Sequence, residues 1–520
     1  MAVPTDPAIE EEEEHGGPTH HPSAPLDESF DISTTVDPSY IISLIRKLLP
    51  SGSASQTAPK RTLSISNEEE GAPVSAANDN DHEHLNSSSY KYENMDVDDS
   101  GEVFCQQGEC DGTSNAGKEQ DWEEYGCILW DLAANTTHAE LMVENLILDV
   151  LLANLLVCKS PRVTEISIGI IGNLACHEIP MKHIVSTNGL IEIIVDKLFM
   201  DDPQCLCEIC RHNNHVIRLL AVSLQSGESV AWAEALQSEY TLCQILWIAE
   251  NTLNLQLTEK SIGLILAILE SQQKVVDALV PPIMKLGLTS ILINLLAFEM
   301  SKLMNERIPE RYTILDLILR ALEALSVIDD HSQEICSSKE LFQLICDLIK
   351  FPDKVEVGNC CVTAAILIAN ILSEVADHAS EISQDFGLLA GLLDIFPFAS
   401  DDLEARNALW NVIARIMVRI QETEISPSSL YHYVSVLVNK TDMIEDELLN
   451  QQLVNSSHEQ EGLSPGSTVD ARNTSLKKMI NILNQWTDAK ETTENKLDAD
   501  DIVDEKDVKR LLDCCHKFYK

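Results

Sequence analysis

Between residues 160 and 200 the chain reads SPRVTEISIGIIGNLACHEIPMKHIVSTNGLIEIIVDKLFM, and its apolar positions keep a helical period. Val163, Ile166, Ile170 and Leu174 recur at three- and four-residue steps, and Ile168, Ile171 and Ala175 widen the stripe beyond one buried face. That spacing predicts a helix packed on more than one side. Pro161 sits where a first helical turn tolerates it, and Gly169, Gly172 and Ala175 are small enough to admit a close neighbour, at about 1 kcal/mol of helix propensity per glycine. After a break at His177 to Pro180, Asn188-Gly189 reads as a tight corner. A second amphipathic run follows in Leu190, Ile193, Ile194 and Leu198, stopped by Asp201-Asp202-Pro203. Such a unit cannot cover its own apolar flanks and needs stacked copies on either side.

Copies of the corner recur. Gly287 in LGLTSILINLL, the segment near Glu340 in SKELFQLICDLI, and Gly387 in DFGLLAGLLDIF each introduce an amphipathic helix, with one unmarked unit around Thr241 to Leu246. Longer helices are expected between them, from Lys260 to Ser271, Thr313 to Val327, Asn359 to Val375 and Leu403 to Ile420. The reading is an all-α, armadillo/HEAT-like α-solenoid of about six or seven units over residues 122–440, its concave surface lined by one helix of each repeat. Residues 441–520 read as an acidic linker followed by C-terminal helices. Residues 1–121 read as a disordered tail, the first 120 of them containing 24 Asp or Glu against 6 Lys or Arg, a local charge of −18. One island near 38–49, PSYIISLIRKLL, has helical spacing; it is either a partner-binding helix or an extra helix that docks back on the solenoid.

Trp130-Asp131, then Ser160-Pro161-Arg162, then the run from Glu165 to Cys176, and later Ser226-Gly227-Glu228-Ser229-Val230-Ala231-Trp232, resemble the serum amyloid A-like (SAAL) family over about 110 residues. The resemblance implies an armadillo-type helical protein without a catalytic motif, associated with the nucleus and with cell proliferation. It implies nothing about the small amyloid A fold.

Charge narrows the partners. At −48 overall, the chain repels phosphate backbones and anionic membranes and favours protein partners with basic surfaces; its oligomeric state is left open. The longest apolar run, from Cys360 to Leu372, is 13 residues and well short of the roughly 20 that span a bilayer. Fifteen scattered cysteines and an N-terminus without an apolar signal segment point to a reducing compartment, the nucleus or alternatively the cytoplasm. No nucleophile elbow, phosphate loop or HExxH helix is present, so neither an enzyme nor a cofactor is expected.

Two clusters could still carry chemistry. Cys205, Cys207, Cys210, His212 and His215 supply zinc-type ligands, which would make the chain a zinc-binding adaptor, but their spacing suits a tetrahedron poorly and an irregular insertion with reduced cysteines is the competing reading. Asn173, Asn370 and Asn411 each fall inside a repeat's last long helix. An importin-like groove uses such asparagines to hold an extended peptide, although here the ladder is interrupted. His177 and His183 flank a turn and read as satisfying helix carbonyls.

Overall fold

The computed structural model describes residues 36–50, 113–199, 206–457 apart from 304, 307, 330, 423 and 424, then 468–492 and 503–519. Among the described residues there are 24 α-helices, two short 3-10 turns and no strand. Three helices make one repeat. In the first repeat these are Thr136–Glu144, Ile147–Val157 and Pro161–Leu174; in the second, Glu178–Ser186, Leu190–Asp196 and Leu206–Leu224. The third helices of the following repeats are Leu255–Leu269, Pro309–Ser326, Gly358–Glu374, Leu403–Glu422 and Thr468–Thr492. All seven pack side by side in chain order, and Thr113–Leu132 adds another rung ahead of them. The chain is therefore an armadillo/HEAT-like α-solenoid whose core is a sum of contacts between adjacent repeats.

The dense apolar pattern of the Pro161–Leu174 helix has its cause in this ladder. It is flanked by Thr113–Leu132, Leu206–Leu224 and Ile147–Val157, so eleven of its residues are buried, including Glu165. The corners between first and second helices are made in two ways. Gly189 and Gly287 turn the chain at φ +80° and +91°, a backbone region open to glycine. Elsewhere a side chain caps the second helix: Ser238 accepts from the Thr241 amide at 3.0 Å, Ser338 from Leu341 at 3.2 Å, and Asp385 from Leu388 at 2.9 Å. The unmarked repeat near Thr241 is thus the helix Glu239–Asn251, started by a serine cap rather than a glycine.

The N-terminal island takes the docking alternative of its two readings, and two other stretches differ from the sequence reading. The island at the N-terminus is the helix Pro38–Lys47, capped by Asp37, and it docks on Thr113–Leu132 and Thr136–Glu144. Ile41, Leu44, Ile45 and Leu48 are buried there, and the Leu48 carbonyl accepts from Trp122 Nε1 at 3.1 Å and Asn154 Nδ2 at 2.8 Å. Lys47 adds a cation over the Tyr125 ring, 4.0 Å from its centre. Two long-range bonds on one helix-end carbonyl fix the helix as an N-terminal cap, the device a stacked array needs at its open end. At the other end the stack does not stop at residue 440. Helices Pro427–Asn439, Thr441–Ser457 and Thr468–Thr492 form a seventh repeat, because Leu476, Met479, Ile482 and Leu483 bury fully against it and the sixth. Glu505–Phe518 then packs on this repeat through Val508, Leu511 and Cys515. Finally, the stretch read as an irregular insertion over 205–217 is, from Leu206 onward, the beginning of a regular third helix; Cys205 lies outside the described residues.

No single described helix is long and apolar enough to cross a membrane. The pair Gln273–Lys285 and Leu288–Leu303 meets the composition test only jointly and is bent by 73° at Gly287, as the first and second helices of the fourth repeat.

Candidate interaction surface

The signature residues near the N-terminus form a junction between three rungs of the ladder. Trp130, on the Thr113–Leu132 helix, lays its indole against Gly169, where an added Cβ would stand 2.3 Å from the ring. Asn173 Nδ2 donates to the Trp130 carbonyl at 2.9 Å, and His177 Nε2 lies 3.1 Å from the Ala133 carbonyl with its Nδ1 3.2 Å from the Thr136 hydroxyl. His177 therefore satisfies the end of a neighbouring helix, as its position beside a turn predicts. Gly172, by contrast, has no neighbour within 4 Å of an added Cβ, so the close approach is confined to Gly169.

From the other side His215 meets the same indole edge-on, 4.9 Å between ring centres. Its Nε2 is 3.7 Å from the Glu165 carboxylate, which also takes Arg162 Nη1 at 2.8 Å. Contact with His215, and then with Arg162, outweighs burial and holds Glu165 at about 2, well below the usual carboxylate range. His215 is therefore occupied by a tryptophan and a carboxylate. Of the other zinc candidates, Cys205 lies outside the described residues, and so do the side chains of Cys207, Cys210 and His212. Among the described residues no group of three or more His, Cys, Asp or Glu could hold a metal.

Ten cysteines in the described residues are free thiols. Burial pushes Cys346 and Cys515 up to about 12 and Cys361 up to about 11, so these thiols stay protonated and act as small apolar side chains.

Asn173, Asn370 and Asn411 all lie on third helices, in repeats one, five and six. Two of the amides are already committed: Asn173 to Trp130, and Asn370 Nδ2 to the Ser326 hydroxyl of the preceding third helix at 2.9 Å. Both tie one rung to the next. Asn411 is half-buried, and among the described residues its amide has no hydrogen-bond partner.

A feature the sequence reading missed runs along the same rungs. On Pro309–Ser326 the carboxylates Asp316 and Glu323 stand seven residues apart, hence on one face, and both are half-buried. Burial pushes both above the ordinary carboxylate value, and for Glu323 the charges of Glu404, Glu270 and Asp402 push further. Arg320 lies between them and is paired with Glu270 at 2.8 Å. The ladder from repeat three to repeat six thus carries crowded negative charge with one neutralising guanidinium named among these groups. The available signal was the seven-residue spacing of two acids, each set between apolar neighbours on that helix.

No family model matches the chain. The Danio rerio protein saal1 is 26% identical over 322 residues, covering 58% of this chain and 65% of its own length. The Homo sapiens SAAL1 protein is 24% identical over 362 residues, covering 63% and 69%. The chain thus spans about two thirds of the length of these curated relatives. Among solved structures it is similar to a designed armadillo repeat protein (13% identity, 49% of this chain and 96% of that one, TM-score 0.38) and to an engineered protein from a structural genomics consortium (16%, 78% and 97%, 0.41). Another designed armadillo repeat protein of comparable similarity, with TM-score 0.39, was solved in complex with the peptide (KR)4. The similarity to the two curated proteins supports an SAAL-family protein, and the residues Trp130, Arg162, Glu165, Gly169 and Asn173 that carry the resemblance lie at one junction.

Proposed function

We propose that the chain is a non-enzymatic protein-interaction scaffold that receives a basic segment of a partner protein along the third-helix rungs of repeats three to six. The observation that supports this is the crowding of Glu404, Glu270 and Asp402 about Glu323, which burial and these like charges raise together, with half-buried Asp316 on the same helix face. A cation brought there relieves both penalties, which makes lysine or arginine the favoured occupant. Asn411, on the same row of helices, supplies an amide for the backbone of an extended segment, whereas Asn173 and Asn370 position the rungs.

The test is affinity purification on the full-length chain at low and high salt, in parallel with a triple variant D316N, E323Q, E404Q. Partners held by this strip are expected to elute as the Debye length shrinks from about 10 Å to about 3 Å, and to be depleted on the variant column. Equal recovery of basic proteins on both columns would remove the reading. Placement in the nucleus and a role in cell proliferation, toward which the family resemblance points, belong to the same proposal. Imaging of the tagged full-length chain, and growth of cells depleted of it, check them; an exclusively cytoplasmic signal or unaltered growth argues against them.

A further inference from the structure

A second surface lies on the second helices, away from the rungs used above. The helix Glu239–Asn251 of repeat three sets Tyr240 and Trp247 seven residues apart, so both fall on one face, and they are 69% and 59% exposed. Phe199, at the end of the second helix of repeat two, stacks on Tyr240 with ring centres 4.4 Å apart and planes at 12°. Gln244 Nε2 donates to the Leu198 carbonyl at 3.3 Å, fastening the stripe across the repeat junction. Glu239 and Glu250 are exposed on the adjoining stripe of the same helix, and Glu192 and Asp196 are exposed on the second helix of repeat two. The Glu239–Asn251 helix carries no lysine or arginine. Lys197, beside Asp196, is already committed to the Leu155 carbonyl at 3.1 Å.

Single apolar side chains on a surface need no explanation, but a stacked pair with an indole two turns along and a carboxylate rim has the composition of a binding hot spot. The chain's own chemistry indicates what fits. Lys47 covers Tyr125 at 4.0 Å, Lys490 covers Trp486 at 5.0 Å, and Lys302 and Arg311 stand over Phe298 at 5.6 and 5.8 Å. Trp247, whose indole has the strongest quadrupole of the aromatic side chains, has no such cation among the described residues, and neither does Tyr240. We infer that the second-helix face of repeats two and three docks a lysine- or arginine-bearing segment of a partner protein, with its cation over Trp247 and Tyr240 and its charge answered by Glu239 and Glu250.

The test uses a fluorescein-labelled octapeptide of alternating lysine and arginine, titrated into the full-length chain and followed by anisotropy. A glutamine octapeptide is the control. Titrations are repeated in an E323Q, E404Q background, which weakens the third-helix strip and leaves this face intact. In that background W247A is expected to weaken binding about tenfold and E239Q with E250Q about threefold, while W247F, which keeps a π face, retains most of the affinity. Thermal melts of the W247 variants should match the parent, since the side chain is mostly exposed. Equal affinity of W247A and its parent would overturn the inference, as would equal binding of the glutamine peptide or no binding of the basic peptide. A loss on W247A without any loss on E323Q, E404Q would retain this face and reject the strip; the reverse would do the opposite.

Discussion

The chain twice places a carboxylate beside an arginine, with a tryptophan close by, where neighbouring helices of the stack meet, and the two sites have opposite energetics. Near the N-terminus Glu165 lies between Arg162 and His215, whose ring in turn meets Trp130. Its partners outweigh burial, and the charged form is favoured. Near the C-terminus Glu447 takes Arg406 Nε at 3.1 Å and Trp410 Nε1 at 3.3 Å, with Arg406 2% and Glu447 4% exposed. There burial exceeds the help from Arg406, and Glu447 is held above the usual range. What separates the sites is access to water: the Arg162 side chain is 42% exposed and keeps its hydration, whereas both members of the second pair are stripped of it. An ion pair at the edge of a stack therefore stabilises charge, while the same pair inside it fixes register at a cost.

The largest effect should come from breaking the buried pair. E447A leaves the Arg406 guanidinium without its carboxylate in the interior and is expected to cost about 3–5 kcal/mol, read as a lowered urea midpoint. R406M with E447L removes both charges and should return close to the parent. If the double variant falls as far as the single one, the pair is a net stabiliser and the contrast with Glu165 collapses. Next in size is G169A. Its methyl would enter the space of the Trp130 ring, and overpacking at that depth costs up to about 3 kcal/mol. G172A on the same helix, with open space at its Cβ, should be far milder, and equal losses for the two would show that the indole does not pin the junction.

Acid should separate the two carboxylates in sign. Glu165 titrates at about 2 in the folded chain against an ordinary value of 4.5, so its contribution is complete above 4.5 and is lost as pH falls toward 2. After screening through the exposed Arg162, that contribution is about 2 kcal/mol. Glu447 is raised, so its protonated form is the one folding favours; its share is complete below the ordinary carboxylate value and is lost as pH rises through the folded one. Stability measured from pH 5 to pH 3 should therefore fall less steeply in E165Q than in the parent and more steeply in R406M with E447L. Parallel curves for all three would contradict both assignments.

These sites also mark the limit of what was legible beforehand. Third helices were legible because a helix covered on several sides repeats its apolar residues densely, as from Val163 to Leu174, and because Asn173, Asn370 and Asn411 sit on them. Corners were legible where glycine marks them, and near Glu340 from the amphipathic helix that follows, but the Ser238 corner carried no mark, since serine is common in any loop. First helices as short as Ser332–Cys336 and His378–Ile382 offer five residues, too few for a period. Arg406, Glu447 and Asp316 could not be distinguished from a solvated face, because a charge is buried by its neighbours in space and not by its own spacing. Past residue 440 helices were legible but their place in the stack was not: Leu476, Met479 and Leu483 have helical spacing, and only their neighbours in space show that they are buried.

The smallest effect tests the corners directly. At the turn between the first and second helices of repeat one, Leu146 takes the place that Gly189 and Gly287 hold in repeats two and four, with φ +65° and 64% of its side chain exposed. A leucine in the left-handed region crowds its Cβ against the carbonyl and carries about 1–2 kcal/mol of strain, and its exposed side chain recovers little of this through burial. L146G removes the strain but loosens the unfolded chain, which returns part of the gain. The net expectation is stabilisation of about 1 kcal/mol, measured by chemical unfolding, with L146N giving a smaller gain because asparagine visits this region at modest cost. L146A keeps the Cβ and should gain nothing. If L146G instead destabilises the chain, the three corners are not equivalent, and the first repeat turns by packing of its leucine and not by the backbone geometry it shares with the glycine corners.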